Sequence, residues 1–125
     1  MLGASSPIAF LATTQPECAK AFYVETLGLR LLSDDQFSLV FAAAGVSLRI
    51  QKVREFQPHP FTALGWSVED VRRAVTGLSE RGVRFERYPF LAQDELGIWA
   101  APGGASVAWF KDPDGNVLSL TGAEA

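Results

Sequence analysis

Apolar and polar residues follow one another in short segments, and the period of each segment predicts its secondary structure. The first half predicts a strand, a helix and three further strands: Ile8–Ala12, a helix from Pro16 to Leu27, Leu29–Leu32, Phe37–Ala42 and Val46–Val53. Thr14 and Glu17 have the spacing of a capping box at the helix start. Gly28 is the expected helix stop.

The second half repeats this order. It predicts a strand at Phe61–Val68, a helix that begins within Ser67–Asp70 and ends at Gly82, strands at Val83–Arg87 and around Ile98–Trp99, and a closing hairpin of Ala105–Lys111 and Val117–Thr121. The turn Asp112–Gly115 suits a hairpin because Pro113 presets φ and Gly115 accepts a positive φ. Tyr88–Gly97 has no clear period.

The two halves therefore indicate an internal repeat. We predict an α+β fold of two βαβββ modules, 1–53 and 61–125, joined by a polar linker at 54–60. One helix per module covers one face of each sheet. We expect the two remaining faces to form a curved mixed sheet around a central cleft.

Composition narrows the class of protein. The 125 residues are 48% hydrophobic and 20% charged, as in a single globular domain. A net charge of −3 and a pI near 5.1 argue against nucleic acid as the main partner. We expect no membrane partner, because there is no long apolar run and no basic leader. Cys18 is the single cysteine, so no internal disulfide forms, and a cytoplasmic location is expected.

Three groups of residues resemble the vicinal oxygen chelate superfamily, which includes glyoxalases, extradiol dioxygenases and bleomycin-resistance proteins. They are Ala21–Tyr23 with Leu27–Leu29, Trp66–Val71 with Arg81–Val83, and Trp109–Asn116. The last group is the most specific. The resemblance implies a glyoxalase-like fold, and it implies that the protein pairs as a homodimer.

The resemblance also implies where a divalent metal would be held. In that family each module supplies one ligand from its first strand and one from its fourth. Here these positions are occupied by Ile8 and Arg49, and by Ala63 and Ser119. Isoleucine, alanine and arginine offer no lone pair, and a neutral serine is a weak ligand. We therefore expect no metal and no other cofactor.

Side chains that alternate along a strand predict which residues face the cleft. The predicted ligand-binding residues are Phe10, Arg49, Gln51, Trp99, Val107, Trp109 and Ser119. Arg49 could pair with a ligand carboxylate or phosphate. The alternative is that Arg49 reaches the cleft mouth or pairs with Asp94 or Glu95. The two tryptophans could stack on a planar ligand or fill the space left by the absent metal.

These features favour a metal-free protein that binds a small aromatic or anionic molecule. The alternative in the same superfamily is a metal-dependent lyase or dioxygenase. A metal-free lyase or isomerase using Arg49, Tyr23 or Glu95 is a third possibility, although no general base has a defined position and the catalytic residues are unknown. A fourth is an interaction module whose cleft is filled by its own side chains.

Overall fold

The computed structural model describes residues 1–123 and contains two compact units, Met1–Pro58 and a second one that starts at His59. Each unit holds a four-stranded mixed sheet and one helical segment. The predicted α+β class and the repeated module are confirmed. The last two residues of the predicted second module, 124 and 125, lie outside the described residues.

The first unit contains four strands in the order β1-β4-β3-β2. Their bounds are β1 Ile8–Thr13, β2 Arg30–Asp34, β3 Ser38–Ala43 and β4 Val46–Lys52. The parallel pair is β1 with β4, and the other neighbours are antiparallel. Helix α1 spans Pro16–Ala21 and continues as one π-helical segment, Phe22–Thr26, so the predicted helix is present with a wider final turn.

Helix α1 starts differently from the prediction. Its N-cap is Gln15, whose side chain makes no capping hydrogen bond, so the helix begins one residue later than a capping box with Thr14 as N-cap predicts. The backbone N–H of Gln15 instead donates to Thr13 Oγ1 at 3.0 Å. The last residue of β1 therefore takes over part of the capping role, which links the strand directly to the helix.

The core of the first unit lies between the helix and one face of the sheet. Tyr23 is fully buried, and its ring centroid lies 5.6 Å from that of Phe41 on β3. Leu48 and Ile50 of β4 share this buried face. At the sheet edge Asp34 pairs with Lys20 and Lys52, whose hydrogen bonds lower the pKa of the Asp34 carboxyl.

The second unit has its strands in the order β5-β8-β7-β6. Their bounds are β5 Thr62–Ser67, β6 Trp99–Ala100, β7 Ala105–Lys111 and β8 Val117–Ala123, and helix α2 spans Val71–Glu80. Asp70 is the N-cap of α2 and accepts from the backbone N–H of Arg73 at 3.0 Å. Val71 and Val75 are buried beneath the helix, and Ala108, Phe110 and Leu118 are buried on the sheet.

The hairpin turn is fixed by one buried carboxylate. Asp112 is 6% exposed and accepts from the backbone N–H groups of Asp114 and Asn116 and from the Asn116 side chain, at 2.8 to 3.0 Å. Gly115 has a φ of +88°, as the turn requires. Asp112 is therefore a turn former, as its sequence context indicates.

The predicted strand at Val83–Arg87 is wrong. Only Phe85 forms a bridge, to Phe110 at one end of β7. The other end of the same edge is occupied by Trp99, which pairs with Val107. The chain leaves the sheet after Glu86 because the Arg87 guanidinium donates to the carbonyls of Asp94 and Glu95, at 2.6 and 2.7 Å, and folds the segment back on itself.

Candidate functional site

The first unit leaves one face of its sheet uncovered. On β4 the side chains alternate, with Leu48 and Ile50 buried and Arg49 and Gln51 exposed. The parallel register places Phe10 beside Arg49 and Ala12 beside Gln51. Phe10 is 54% exposed, which is unusual for a phenylalanine within a sheet. We call this exposed side the open face of the first sheet.

Arg49 lies in an apolar part of this open face. Its lateral neighbours are Phe10 on β1 and Val40 on β3. Within Met1–Pro58, no carboxylate lies within ion-pair distance of its guanidinium. A planar cation flanked by apolar side chains and without an internal counter-ion is suited to binding an external anion.

The sheet of the second unit also has one face that α2 does not cover, and most of the predicted site residues of that unit lie there. The register aligns Trp109 with Ser119 and Val107 with both Thr121 and Trp99. The ring centroids of Trp99 and Trp109 are 6.0 Å apart with an interplanar angle of 32°. Two half-exposed indoles side by side form an aromatic surface, the open face of the second sheet.

The Trp109 indole is held in place by a side chain two strands away. Its Nε1–H donates to Thr62 Oγ1 at 3.0 Å. Because β8 lies between β7 and β5 in the sheet, the indole crosses β8 to reach this partner. The ring is therefore fixed in position across the open face before any ligand arrives.

Two aromatic residues that sequence reasoning did not assign to the site extend this surface. The Tyr88 ring meets Trp109 edge to face at 5.5 Å, and Phe90 lies 5.7 Å from Tyr88 and is 80% exposed. Burial, and then the charge of Glu86, raise the pKa of the Tyr88 phenol. In the sequence, the one indication that Tyr88 and Phe90 belong to the site is that two aromatic residues lie close together in an otherwise irregular segment.

The segment that carries Tyr88 is ordered by Gln93. The Gln93 side chain donates to the carbonyls of Glu86 and Gly97 at 3.0 and 2.8 Å and accepts from the Tyr88 N–H at 2.7 Å. Asp94 accepts from the N–H groups of Leu96 and Ile98. We call residues 86–98 the tethered loop, because its own side chains hydrogen-bond several of its backbone groups.

The acidic residues of the tethered loop contact a partner within their own unit. Arg72 lies 3.5 Å from Asp94 and 3.1 Å from Glu95. A hydrogen bond from its own backbone, and then Arg72, lower the pKa of the Glu95 carboxyl. These contacts give Asp94 and Glu95 a local role in fastening the loop to α2. Asp94 and Glu95 are the two carboxylates that the alternative interpretation paired with Arg49, and in the structure both contact Arg72.

The positions that the resemblance assigns to metal ligands do not fit a divalent metal. Ile8 and Arg49 lie on the first open face, and Ser119 lies between Gly65 and Trp109 on the second. Ala63 sits at an irregularity in the pairing of β5 with β8. One hydroxyl is the sole oxygen donor in this set. Across residues 1–123, no cluster of three histidine, cysteine, aspartate or glutamate side chains could hold a metal ion.

A separate concavity lies on the helix-covered side of the second sheet. Its volume is about 510 Å³, and its lining includes Asp70 and Arg72 of α2, Asp94 and Ile98 of the tethered loop, and Ser106 of β7. The predicted site residues of the second unit lie on the opposite face of its sheet. The Asp70 carboxylate is already used to cap α2, and Asp94 is held by the loop.

Other singled-out residues have ordinary surroundings. Cys18 is a free, exposed thiol on α1, and His59 is exposed and stacks on Phe61 at 4.8 Å. Trp66 shares the helix-covered face with its neighbour Leu120. Among residues 1–123, no helix combines the length and the apolar character needed to cross a membrane.

Comparison with known families and structures agrees with this architecture. The family described as the Glyoxalase/Bleomycin resistance protein/Dioxygenase superfamily matches residues 6–120. No curated protein matches the sequence.

Similar solved structures span both binding proteins and enzymes. TnmS3, an antibiotic binding protein from Streptomyces sp. CB03234, is 28% identical over 99% of both chains, with a TM-score of 0.75. A superfamily member from Sphaerobacter thermophilus is 25% identical over 98% of this chain and 99% of the other, with a TM-score of 0.77. Lactoylglutathione lyase from Agrobacterium tumefaciens is 15% identical over 98% and 96%, with a TM-score of 0.75, and supports the fold alone.

The order of the tethered loop should depend on Gln93. Replacing it by alanine leaves three part-buried backbone groups without their partner, so Gln93→Ala should lower the free energy of unfolding by about 1–3 kcal/mol in urea titrations. Hydrogen exchange of the Tyr88 amide should accelerate. Gln57→Ala, at an exposed position, is the control. Unchanged stability and exchange would mean that Arg87 and Asp94 hold the loop without Gln93.

Proposed function

We propose that this chain, which belongs to the Glyoxalase/Bleomycin resistance protein/Dioxygenase superfamily, is a binding protein. It binds a small aromatic or anionic molecule and does so without a metal. The observation that carries this proposal is the pair of half-exposed indoles on the open face of the second sheet, one of which is fixed by Thr62. A preformed aromatic surface binds planar molecules at little cost in side-chain entropy.

The similarity to TnmS3 supports a binding function. That protein is an antibiotic binding protein, and the likeness covers nearly all of both chains. Small-molecule sites are usually apolar and aromatic with a few polar groups. The exposed face around Trp99, Val107 and Trp109 has this character, with the Thr62 and Ser119 hydroxyls as its polar groups.

Arg49 gives the proposal its anionic component. Its guanidinium has apolar neighbours and no carboxylate partner within its unit, so a ligand carboxylate or phosphate would gain charge-assisted hydrogen bonds there. Gln51, two residues further along β4 on the same exposed side, adds an amide donor and acceptor.

The residue types at the superfamily's metal positions are the reason for proposing a metal-free protein. An isoleucine, an alanine and an arginine cannot donate a lone pair to a metal. The likeness to a lyase at 15% identity carries no reaction over to this chain. The negative net charge and the single exposed cysteine favour a small-molecule partner over nucleic acid, and a reducing compartment such as the cytoplasm.

The first test uses naphthalene as an uncharged aromatic probe and equilibrium dialysis as the readout. Trp109→Ala should lower the affinity for naphthalene about tenfold, because the probe loses aromatic contact and apolar burial. Trp66→Phe, on the helix-covered face, is the control and should leave binding unchanged. Affinity should be the same with and without EDTA. Binding that EDTA abolishes, or that Trp109→Ala leaves intact, would overturn the proposal.

The anionic component is tested by comparing 2-naphthoate with naphthalene. Arg49→Ala should lower the affinity for 2-naphthoate about three- to tenfold and leave naphthalene binding unchanged, because one charge-assisted contact is lost. The exposed Arg49 has no internal ion pair, so stability should change by less than about 0.5 kcal/mol. Arg54→Ala removes the same charge from the linker and is the matched control. Equal losses in both variants would indicate a general charge effect.

We also propose that the protein forms a homodimer. Large apolar side chains remain exposed outside the indole pair, including Leu32 and Phe37 in the first unit and Phe61 in the second. Exposed apolar surface and free strand edges are commonly covered by a second copy. Sedimentation equilibrium at micromolar concentration should give twice the chain mass. A single species of 13.5 kDa would contradict the proposal.

A further inference from the structure

The Ser119 hydroxyl is a buried polar group that lacks a partner in the described part of the chain. The residue is 7% exposed, yet its side chain makes no hydrogen bond within residues 1–123. Every fully enclosed side-chain nitrogen or oxygen in that range has a partner, so the Ser119 oxygen must retain a narrow contact with solvent. A buried hydroxyl without a protein partner gains a hydrogen bond when a ligand group comes within reach, and this bond favours ligand binding.

The approach to this hydroxyl is kept open by a glycine. Gly65 on β5 is the Cα partner of Ser119 on β8, so both residues present the same side of the sheet. A Cβ at residue 65 would collide with Ser119 Oγ. The φ of Gly65 lies outside the left-handed region, so backbone conformation does not demand glycine here. Because residue 65 has no side chain, there is a notch beside this exposed glycine, and the Ser119 hydroxyl points into it.

The notch borders the aromatic surface. Trp109 is the antiparallel partner of Ser119, and its indole crosses β8 to hydrogen-bond Thr62. A planar molecule lying against this indole therefore has Ser119 within reach at its edge. The serine oxygen can both donate and accept, which suits a ligand hydroxyl or carbonyl.

We propose that Gly65 and Ser119 form a specificity notch that selects aromatic ligands carrying a hydroxyl or carbonyl group at the ring edge. The inference rests on the proposed function, since it assigns a ligand class to the same open face. Stacking on Trp109 contributes affinity for any planar aromatic ligand, whichever substituents its ring carries. The Ser119 hydroxyl distinguishes ligands that can pair with it from those that cannot.

Equilibrium dialysis with 2-naphthol and naphthalene separates these contributions, because the two probes differ by one hydroxyl. Wild-type protein should bind 2-naphthol about three- to tenfold more tightly than naphthalene, the range expected for one hydrogen bond. Ser119→Ala and Gly65→Ala should each bring this ratio to about one, because each removes the hydrogen bond that only 2-naphthol can make. Trp109→Ala should weaken both probes together.

Two further variants control for folding and for the substitution itself. Gly65→Ala/Ser119→Ala has no serine oxygen to collide with and should show the same lost preference as the single variants. Gly77→Ala makes the same change in α2, where the added methyl meets open space, and should keep the preference. Thermal unfolding of each variant shows whether the fold is intact.

The outcomes separate the two proposals. If neither probe binds, or if Trp109→Ala weakens neither, the proposed function fails, and the notch fails with it. If Trp109→Ala weakens both probes but the preference for 2-naphthol is absent, or survives Ser119→Ala, the aromatic surface stands and the notch is wrong.

Discussion

Each sheet has a single helix to cover it, and this constraint determines where chemistry can occur. A helix packs against one face of a sheet, so period-two alternation divides every strand into a buried set and an exposed set. On β4, the side chains of Leu48 and Ile50 are buried, and those of Arg49 and Gln51, which alternate with them, are exposed. A guanidinium can occupy the centre of a sheet only because its face has no helix above it.

The same constraint explains why the sheet faces could be predicted from sequence. Alternation is local, so the exposed position of Arg49 and the buried position of Phe110 follow from a few neighbouring residues. The Trp109–Ser119 pairing was equally accessible, because the Asp112–Gly115 turn fixes the hairpin register. The turn itself is encoded by a buried carboxylate with three donors nearby in sequence.

Contacts between distant residues were not predictable. Val83–Arg87 has strand-like composition, but the side chains of Arg87 and Gln93 bond to backbone groups four to eight residues away, and the hydrophobic periodicity does not indicate such bonds. The tethered loop that results brings Tyr88 against Trp109. The N-cap of α1 also differs from the prediction: it is Gln15 and not Thr14, and Thr13 Oγ1 accepts from the Gln15 backbone N–H.

The sequence did not identify Gly65 as a site residue, because its effect comes from the side chain that it lacks. A glycine in a strand weakens the strand and offers no contact, so its value depends on what lies opposite. Only the register of β5 with β8 shows that the opposite residue is Ser119, the position at which the superfamily resemblance implies a metal ligand. A metal would supply several kcal/mol of directed attraction, whereas one hydroxyl supplies about 1 kcal/mol. On the function proposed here, affinity must therefore come from aromatic burial, and the serine can only adjust it. Such a site would accept many planar molecules and discriminate among them by the placement of one polar group.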